Sequence, residues 1–110
     1  MSKEINFTIE MTDIAIKKAS QSPCKSKVSA IGLNKKGKVI STACNHPRFS
    51  KYGGGVHAEI KALARGGDKI HSMIICRVGK LGEIRPIECC SSCKKVLDKK
   101  GIKVYSIKPL

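Results

Sequence analysis

The 110-residue chain contains no tryptophan and only two phenylalanines and two tyrosines. Proteins that bind single-stranded nucleic acid usually stack the bases on aromatic rings. The scarcity of such rings argues against an extended strand-binding surface and favours a small substrate.

Acidic residues are also scarce. The sequence has eight aspartates and glutamates against 22 lysines and arginines, which gives a formal net charge of +14. A surface of this sign attracts phosphate groups. The charge therefore keeps RNA or single-stranded DNA as an alternative partner, with a lysine-rich solvated surface as the simpler interpretation.

The sequence lacks any apolar run as long as a membrane-spanning helix needs. The first ten residues carry charges where a secretory signal peptide has its apolar segment. We therefore expect a cytoplasmic protein with no membrane partner. In that setting the six cysteines indicate metal or redox chemistry rather than a disulfide scaffold, with Cys24, Cys44 and Cys76 as idle thiols.

Apolar periodicity predicts an α/β fold in a single domain. The segments with helical spacing are 7–20, 57–65 and 90–100, and those typical of strands are 28–33, 39–44, 73–78 and 102–107. Turn residues join the first two strands into an antiparallel hairpin, and the helical crossovers after it make the later strands parallel. We expect a mixed sheet of about four strands, with connecting loops at 45–56 and 79–88.

Two short motifs supply metal-ligand chemistry: His57-Ala58-Glu59 and Cys90-Ser91-Ser92-Cys93. Both lie where helices begin beyond the ends of strands, the usual place for ligands in open α/β sheets. The two cysteines share one face of a first helical turn, where the helix dipole favours thiolates. One imidazole and two thiolates are the three ligands of a catalytic zinc that keeps a position for water.

This H-A-E motif followed by C-x-x-C resembles the cytidine and deoxycytidylate deaminase superfamily, whose zinc signature has this form. The resemblance implies one zinc-dependent deaminase-like domain over 1–110, a three-layer fold with helices on both faces of the sheet. It implies zinc on His57, Cys90 and Cys93, with Glu59 as general acid/base. The implied enzyme is a hydrolase acting on a cyclic amidine C–N bond, which converts cytosine to uracil and releases ammonia.

The substrate-binding residues are predicted around this motif. Asn45 resembles the asparagine with which several members of the superfamily hold the ribose, and Ala58 lies inside the motif. Phe49 and Tyr52, in the basic loop before it, could stack on a base. An ordinary solvated loop is the alternative for these loop residues. We expect a free pyrimidine nucleoside or nucleotide as substrate and, from the resemblance, a homo-oligomer.

Other interpretations stay open. Cys89 stands where the family has proline, which makes it an alternative zinc ligand. Glu88 matches the glutamate of the E-P-C motif in the tRNA adenosine deaminase branch of the family. The rival functions are a deaminase of cytosine or adenine in RNA or single-stranded DNA, and an inactive basic nucleic-acid-binding zinc domain. A closed structural zinc site would combine Cys44 and His46 with the C-x-x-C pair. That pair could also be a redox couple.

Overall fold

The computed structural model of the chain describes residues 9–24, 26–47, 55–89 and 91–108. The helices are α1 (Ile9–Ser20), α2 (Ala58–Gly66), which continues into a 3-10 turn (Gly67–Lys69), and α3 (Ser91–Lys99). The strands are β1 (Lys27–Leu33), β2 (Val39–Cys44), β3 (His46–Pro47), β4 (Gly55–Val56), β5 (Ser72–Val78), β6 (Ile84–Arg85) and β7 (Lys103–Ser106). Over these ranges, none of the helices has the length and apolar character that crossing a bilayer requires.

Five of the strands form one mixed sheet around β1 and β5. β1 runs antiparallel to β2 on one side and to β5 on the other. The far edge of β5 pairs in parallel with β7 along its first half and antiparallel with β6 at its end. Strands β2, β5 and β7 therefore run in one direction, as the helical crossovers predicted, and the mixed α/β fold class is confirmed.

The two faces of the sheet are covered by different helices. Successive residues of β5 alternate between two apolar clusters, since Met73 and Ile75 join one and Ile74 and Cys76 the other. The first cluster packs the sheet against α2 and α3, through Ala58, Ala62 and Leu97. The second packs it against α1, through Ala15 and Ala19. This gives the expected three layers.

The end of α2 is held closely against the sheet. A Cβ atom on Gly66 would lie 2.6 Å from Cδ1 of Ile70 and 3.1 Å from the Ser41 hydroxyl of β2, so a larger residue would have to displace these side chains. The Arg65 guanidinium also donates a hydrogen bond of 2.6 Å to the Thr42 carbonyl oxygen in β2. These contacts fix the direction of α2, whose opposite end begins at His57.

The end of α3 is fixed by a glycine cap. Gly101 has φ of 70°, and its N–H donates to the Asp98 carbonyl while the Ile102 N–H donates to that of Leu97, both at 3.0 Å. This pair of bonds is a Schellman motif, and the accompanying apolar residues Leu97 and Ile102 are both buried. The register of α3 against the core is thereby set, including Cys93 one turn before Leu97.

In their described residues, the segments predicted as loops contain three strands of two residues each. β3 pairs with β4 between 45 and 56, and β6 adds a fifth strand to the main sheet between 79 and 88. Two-residue strands are too short to produce a periodic pattern of apolar residues. The sequence could not indicate them for this reason.

Candidate metal centre and active-site cleft

The H-A-E motif lies at the start of α2. His57 is the N-cap residue, with extended backbone angles φ −72° and ψ 140°, and its side chain does not cap the helix. Its carbonyl oxygen accepts the hydrogen bond from the Lys61 N–H at 3.2 Å that begins the helix. Glu59 follows in the first turn and is only 4% exposed, whereas His57 is exposed. A buried carboxylate therefore follows two residues after an accessible imidazole.

The structure brings His57, Glu59 and Cys93 together. Each offers one ligand atom, and these atoms all lie within 4.8 Å of one another. Cys93 is 2% exposed and reaches the group from α3, which packs on the same face of the sheet as α2. In a tetrahedral zinc site with usual bond lengths, nitrogen and sulfur ligands lie about 3.5 Å apart. The donor set therefore fits a zinc ion after small side-chain adjustments.

The predicted third ligand, Cys90, lies outside the described residues, as do Phe49 and Tyr52. Cys44, the partner considered for a closed structural site, is buried at 4% exposure. Within the part of the chain that the structure describes, the clustered donor group does not include it. None of the five described cysteines forms a disulfide.

The residue that replaces the family's proline contacts the candidate acid/base. The Cys89 thiol lies 3.6 Å from Oε2 of Glu59 and is placed to donate a weak hydrogen bond to it. The sequence indicated Cys89 only as an alternative ligand, and the contact with Glu59 could not be foreseen because the two residues are 30 positions apart. Cys89 therefore touches the carboxylate on which the predicted chemistry depends.

Asn45 lines the same region, but most of its amide is used within the protein. Oδ1 accepts hydrogen bonds from the Ser22 hydroxyl at 2.6 Å and from the Val28 N–H at 3.0 Å. Nδ2 donates to the Ser26 carbonyl at 2.7 Å. A flipped amide would set its own N–H against that of Val28, so this orientation is the consistent one. One N–H of the amide is not engaged in these bonds.

A cleft of about 450 Å³ is lined by His57 and Glu59 of the donor group. Its volume is in the range of small-molecule sites. Four of the predicted site residues line it, together with six that the sequence did not single out for this role: Asn45, His57, Ala58, Glu59, and Ser26, Val28, Arg77, Pro86, Ile87, Glu88. The H-A-E motif and Asn45 thus meet in one cavity.

The buried thiol of Cys76 lies away from this cleft, in the cluster beneath α1. Burial raises its pKa to about 11. The thiolate is the nucleophilic and metal-binding form. Cys76 therefore stays protonated at neutral pH, in keeping with an idle structural thiol.

The family model described as the cytidine and deoxycytidylate deaminase zinc-binding region matches residues 5–108. The chain belongs to this family. Two solved structures of cytidine deaminase from Mycobacterium tuberculosis share the deaminase fold. One, a glutamate-to-glutamine mutant, aligns with a TM-score of 0.60 and 21% identity, over 88% of this chain and 84% of that one. The other aligns with a TM-score of 0.58 and 20% identity, over 89% and 87%. No curated protein sequence gave a significant match.

Proposed function

We propose that the protein is a zinc-dependent hydrolytic deaminase that converts cytosine to uracil in a free nucleoside or nucleotide. The observation that carries this proposal is the convergence of His57, Glu59 and Cys93 within 4.8 Å beside a cleft of about 450 Å³. The cleft suits a base with its sugar. Residues 1–110 would form a single domain with this activity.

His57, Cys90 and Cys93 are the proposed zinc ligands. Residues three apart in a helix share a face, so a cysteine at 90 can join Cys93 from the same side. When bound, zinc supplies Lewis-acid activation of water near neutral pH. The thiols are favoured as thiolates at the start of α3, where the helix dipole is positive.

Glu59 is the proposed general acid/base. Its carboxylate accepts a proton from the attacking water and delivers it to the ring nitrogen. It then accepts the second proton from the new hydroxyl group on the ring carbon and delivers it to the exocyclic amine. The oxygen of water bonds to the ring carbon, the C–N bond breaks, and the nitrogen leaves as ammonia. Burial of Glu59 to 4% exposure supports this role, because few bulk water molecules can exchange protons with it.

The substrate contacts are proposed around the start of α2. The N–H groups of a first helical turn have no partner within the helix, so that of Ala58 can donate to a carbonyl of the base. Asn45 can offer its remaining N–H to a sugar hydroxyl. Phe49 and Tyr52 stay predictions as stacking residues.

The test is ammonia release by zinc-loaded protein from a substrate panel. The panel holds cytidine, deoxycytidine, their monophosphates, adenosine, guanine, and single-stranded RNA and DNA. We expect turnover of the free cytosine compounds and a loss of at least 100-fold in Glu59→Gln, since general acid–base catalysis contributes about 10²- to 10⁴-fold. The control is the zinc content of Glu59→Gln, which should equal that of wild type. Turnover of purines alone, or an unaffected Glu59→Gln variant, would contradict the proposal.

The second candidate is a nucleic-acid-binding role, with or without deamination of the strand. It is favoured by the net charge of +14. Binding driven by phosphate contacts weakens steeply as salt is added. Oligonucleotide binding of this kind, with no ammonia released from any free nucleoside or nucleotide, would support this candidate over the first.

We also propose that the protein forms a homo-oligomer. Two apolar side chains on the helical layer formed by α2 and α3 are exposed and could be buried by another copy of the chain. They are those of Ile60 on α2, which is 37% exposed, and Val96 on α3, which is 38% exposed. Sedimentation velocity measures the species present. A single species with the mass of one chain at high protein concentration would contradict this proposal.

A further inference from the structure

Arg77 is the cationic side chain of the central strand β5, and it lies on the cleft side of the sheet. It is exposed, whereas the other six residues of the strand are buried. Alternation along the strand gives it the face of Met73 and Ile75, which pack beneath α2 and α3. The residue paired with Arg77 on β1 is Val28, and both residues line the cleft with Glu59. A positive charge is therefore built into the wall of the candidate active site.

The guanidinium of Arg77 is not used to stabilise the described part of the fold. Within residues 9–24, 26–47, 55–89 and 91–108, no hydrogen bond or ion pair of its side chain is present. The residue paired with Arg77 on β6 is Arg85, whose guanidinium is already engaged within the protein. Oε1 of Glu83 accepts hydrogen bonds from Nη2 of Arg85 at 3.1 Å and from Nε of Arg85 at 3.3 Å. Of the two facing arginines, Arg77 is the one left to bind a ligand.

The carboxylate that pairs with Arg85 is ionised at neutral pH. A hydrogen bond from its own backbone amide, with further ones from the Leu81 N–H and from Arg85, lowers the pKa of Glu83. Glu83 therefore neutralises Arg85 locally and does not reach Arg77 within ion-pair distance in the described structure.

Two charged residues of the cleft, Arg77 and Glu88, each also line a different neighbouring cavity. Arg77 also lines a neighbouring cavity of about 630 Å³ with Lys80 and Arg85, around the turn between β5 and β6. Glu88 instead lines a cavity between α3 and β7. A substrate with an anionic end would place that end at Arg77 and not at Glu88.

We propose that Arg77 binds the phosphate ester of the substrate, so that the site takes a nucleoside monophosphate in preference to an unphosphorylated nucleoside. The planar guanidinium matches two phosphate oxygens at once, which gives both affinity and orientation. This inference rests on the proposed deaminase function and names its substrate class. The monophosphate provides a dianionic terminus, which suits a single arginine at one end of a small cleft.

The kinetic test compares CMP and cytidine as substrates of wild type, Arg77→Ala, Arg77→Lys and Lys80→Ala. Charged hydrogen bonds contribute about 10- to 100-fold in affinity. We expect wild type to prefer CMP and Arg77→Ala to lose about 10- to 100-fold in kcat/KM for CMP, mainly through KM. Cytidine should change by less than about 2-fold. Arg77→Lys should retain part of the CMP activity that Arg77→Ala loses.

Lys80→Ala is the matched control, because it removes one positive charge from the same rim without touching the candidate active-site cleft. It should leave the CMP preference within about 3-fold of wild type, as a screened surface charge does. An equal loss of CMP activity in Lys80→Ala and Arg77→Ala would overturn the inference, because it would show a general field and not a contact.

A binding measurement separates this inference from the proposed function. Calorimetry with CMP, cytidine and inorganic phosphate needs no turnover, and we expect CMP to bind more tightly than cytidine only when Arg77 is present. If no compound is deaminated but this dependence holds, the proposed function fails and the phosphate site stands. If cytidine is deaminated as well as CMP and Arg77→Ala affects neither, the inference fails and the function stands. An effect of Arg77→Ala confined to oligonucleotides would also overturn it, because the phosphate would then belong to a strand.

Discussion

Replacing Cys89 by alanine removes the thiol that lies 3.6 Å from Oε2 of Glu59. The carboxylate is 4% exposed, so few water molecules can take the place of the lost donor. A net hydrogen-bond contribution of about 1 kcal/mol corresponds to about 5-fold in rate. We therefore expect kcat to fall by about 3- to 10-fold with KM nearly unchanged, because Glu59 is less well oriented for proton transfer.

Serine at position 89 is the informative companion. It keeps an O–H donor of similar shape, so Cys89→Ser should recover most of the activity that Cys89→Ala loses. Steady-state ammonia release gives the rates, and metal analysis of the same samples gives the zinc content. Zinc should be equal in all three proteins.

Two results would refute this reasoning. Wild-type kcat in Cys89→Ala would show that the thiol does not orient the carboxylate. Loss of zinc from that variant would show that Cys89 is a ligand, which would replace Cys90 in the proposed set.

Three further predictions concern stability. Gly66→Ala should lower the free energy of unfolding by about 1–3 kcal/mol in denaturant titration, because the new Cβ would lie 2.6 Å from Ile70. Adding Ile70→Val to the Gly66→Ala chain should recover part of the lost free energy. Leu97→Ala, at a fully buried position, should cost about 2–5 kcal/mol, whereas Val96→Ala, at 38% exposure, should cost under about 1 kcal/mol. Burial raises the pKa of Cys76 above the ordinary value of 9.0 to about 11, so the folded chain holds the proton more tightly between these pH values. Wild type should therefore lose about 2 kcal/mol relative to Cys76→Ala as pH rises from 9 to 11, and parallel pH curves would contradict this.

The sequence predicted the helices and long strands because their apolar residues follow clear periods. The near-continuous apolar run at 73–78 predicted strand β5. The strand order could not be predicted, since the crossover rules set the direction of β2, β5 and β7 but allow β1 to lie at the edge or between β2 and β5. The structure places it between them.

The candidate site was predictable only where chemistry is encoded in local spacing. His57, Glu59 and Cys93 belong to short motifs, so their juxtaposition could be expected from the fold. The contact of Cys89 with Glu59 and the bonds that Asn45 makes depend on packing between distant segments. Arg77 carried a usable signal, because one cation in an otherwise buried strand must face a cavity or the solvent, but the sequence alone did not show which.

X-ray absorption at the zinc edge tests the coordination at the centre of this account most directly. The proposed set of His57, Cys90 and Cys93 predicts two sulfur neighbours at about 2.3 Å and two nitrogen or oxygen neighbours at about 2.0 Å. Three sulfurs, as a closed site with Cys44 would give, would contradict the account, and so would purified protein that binds no zinc.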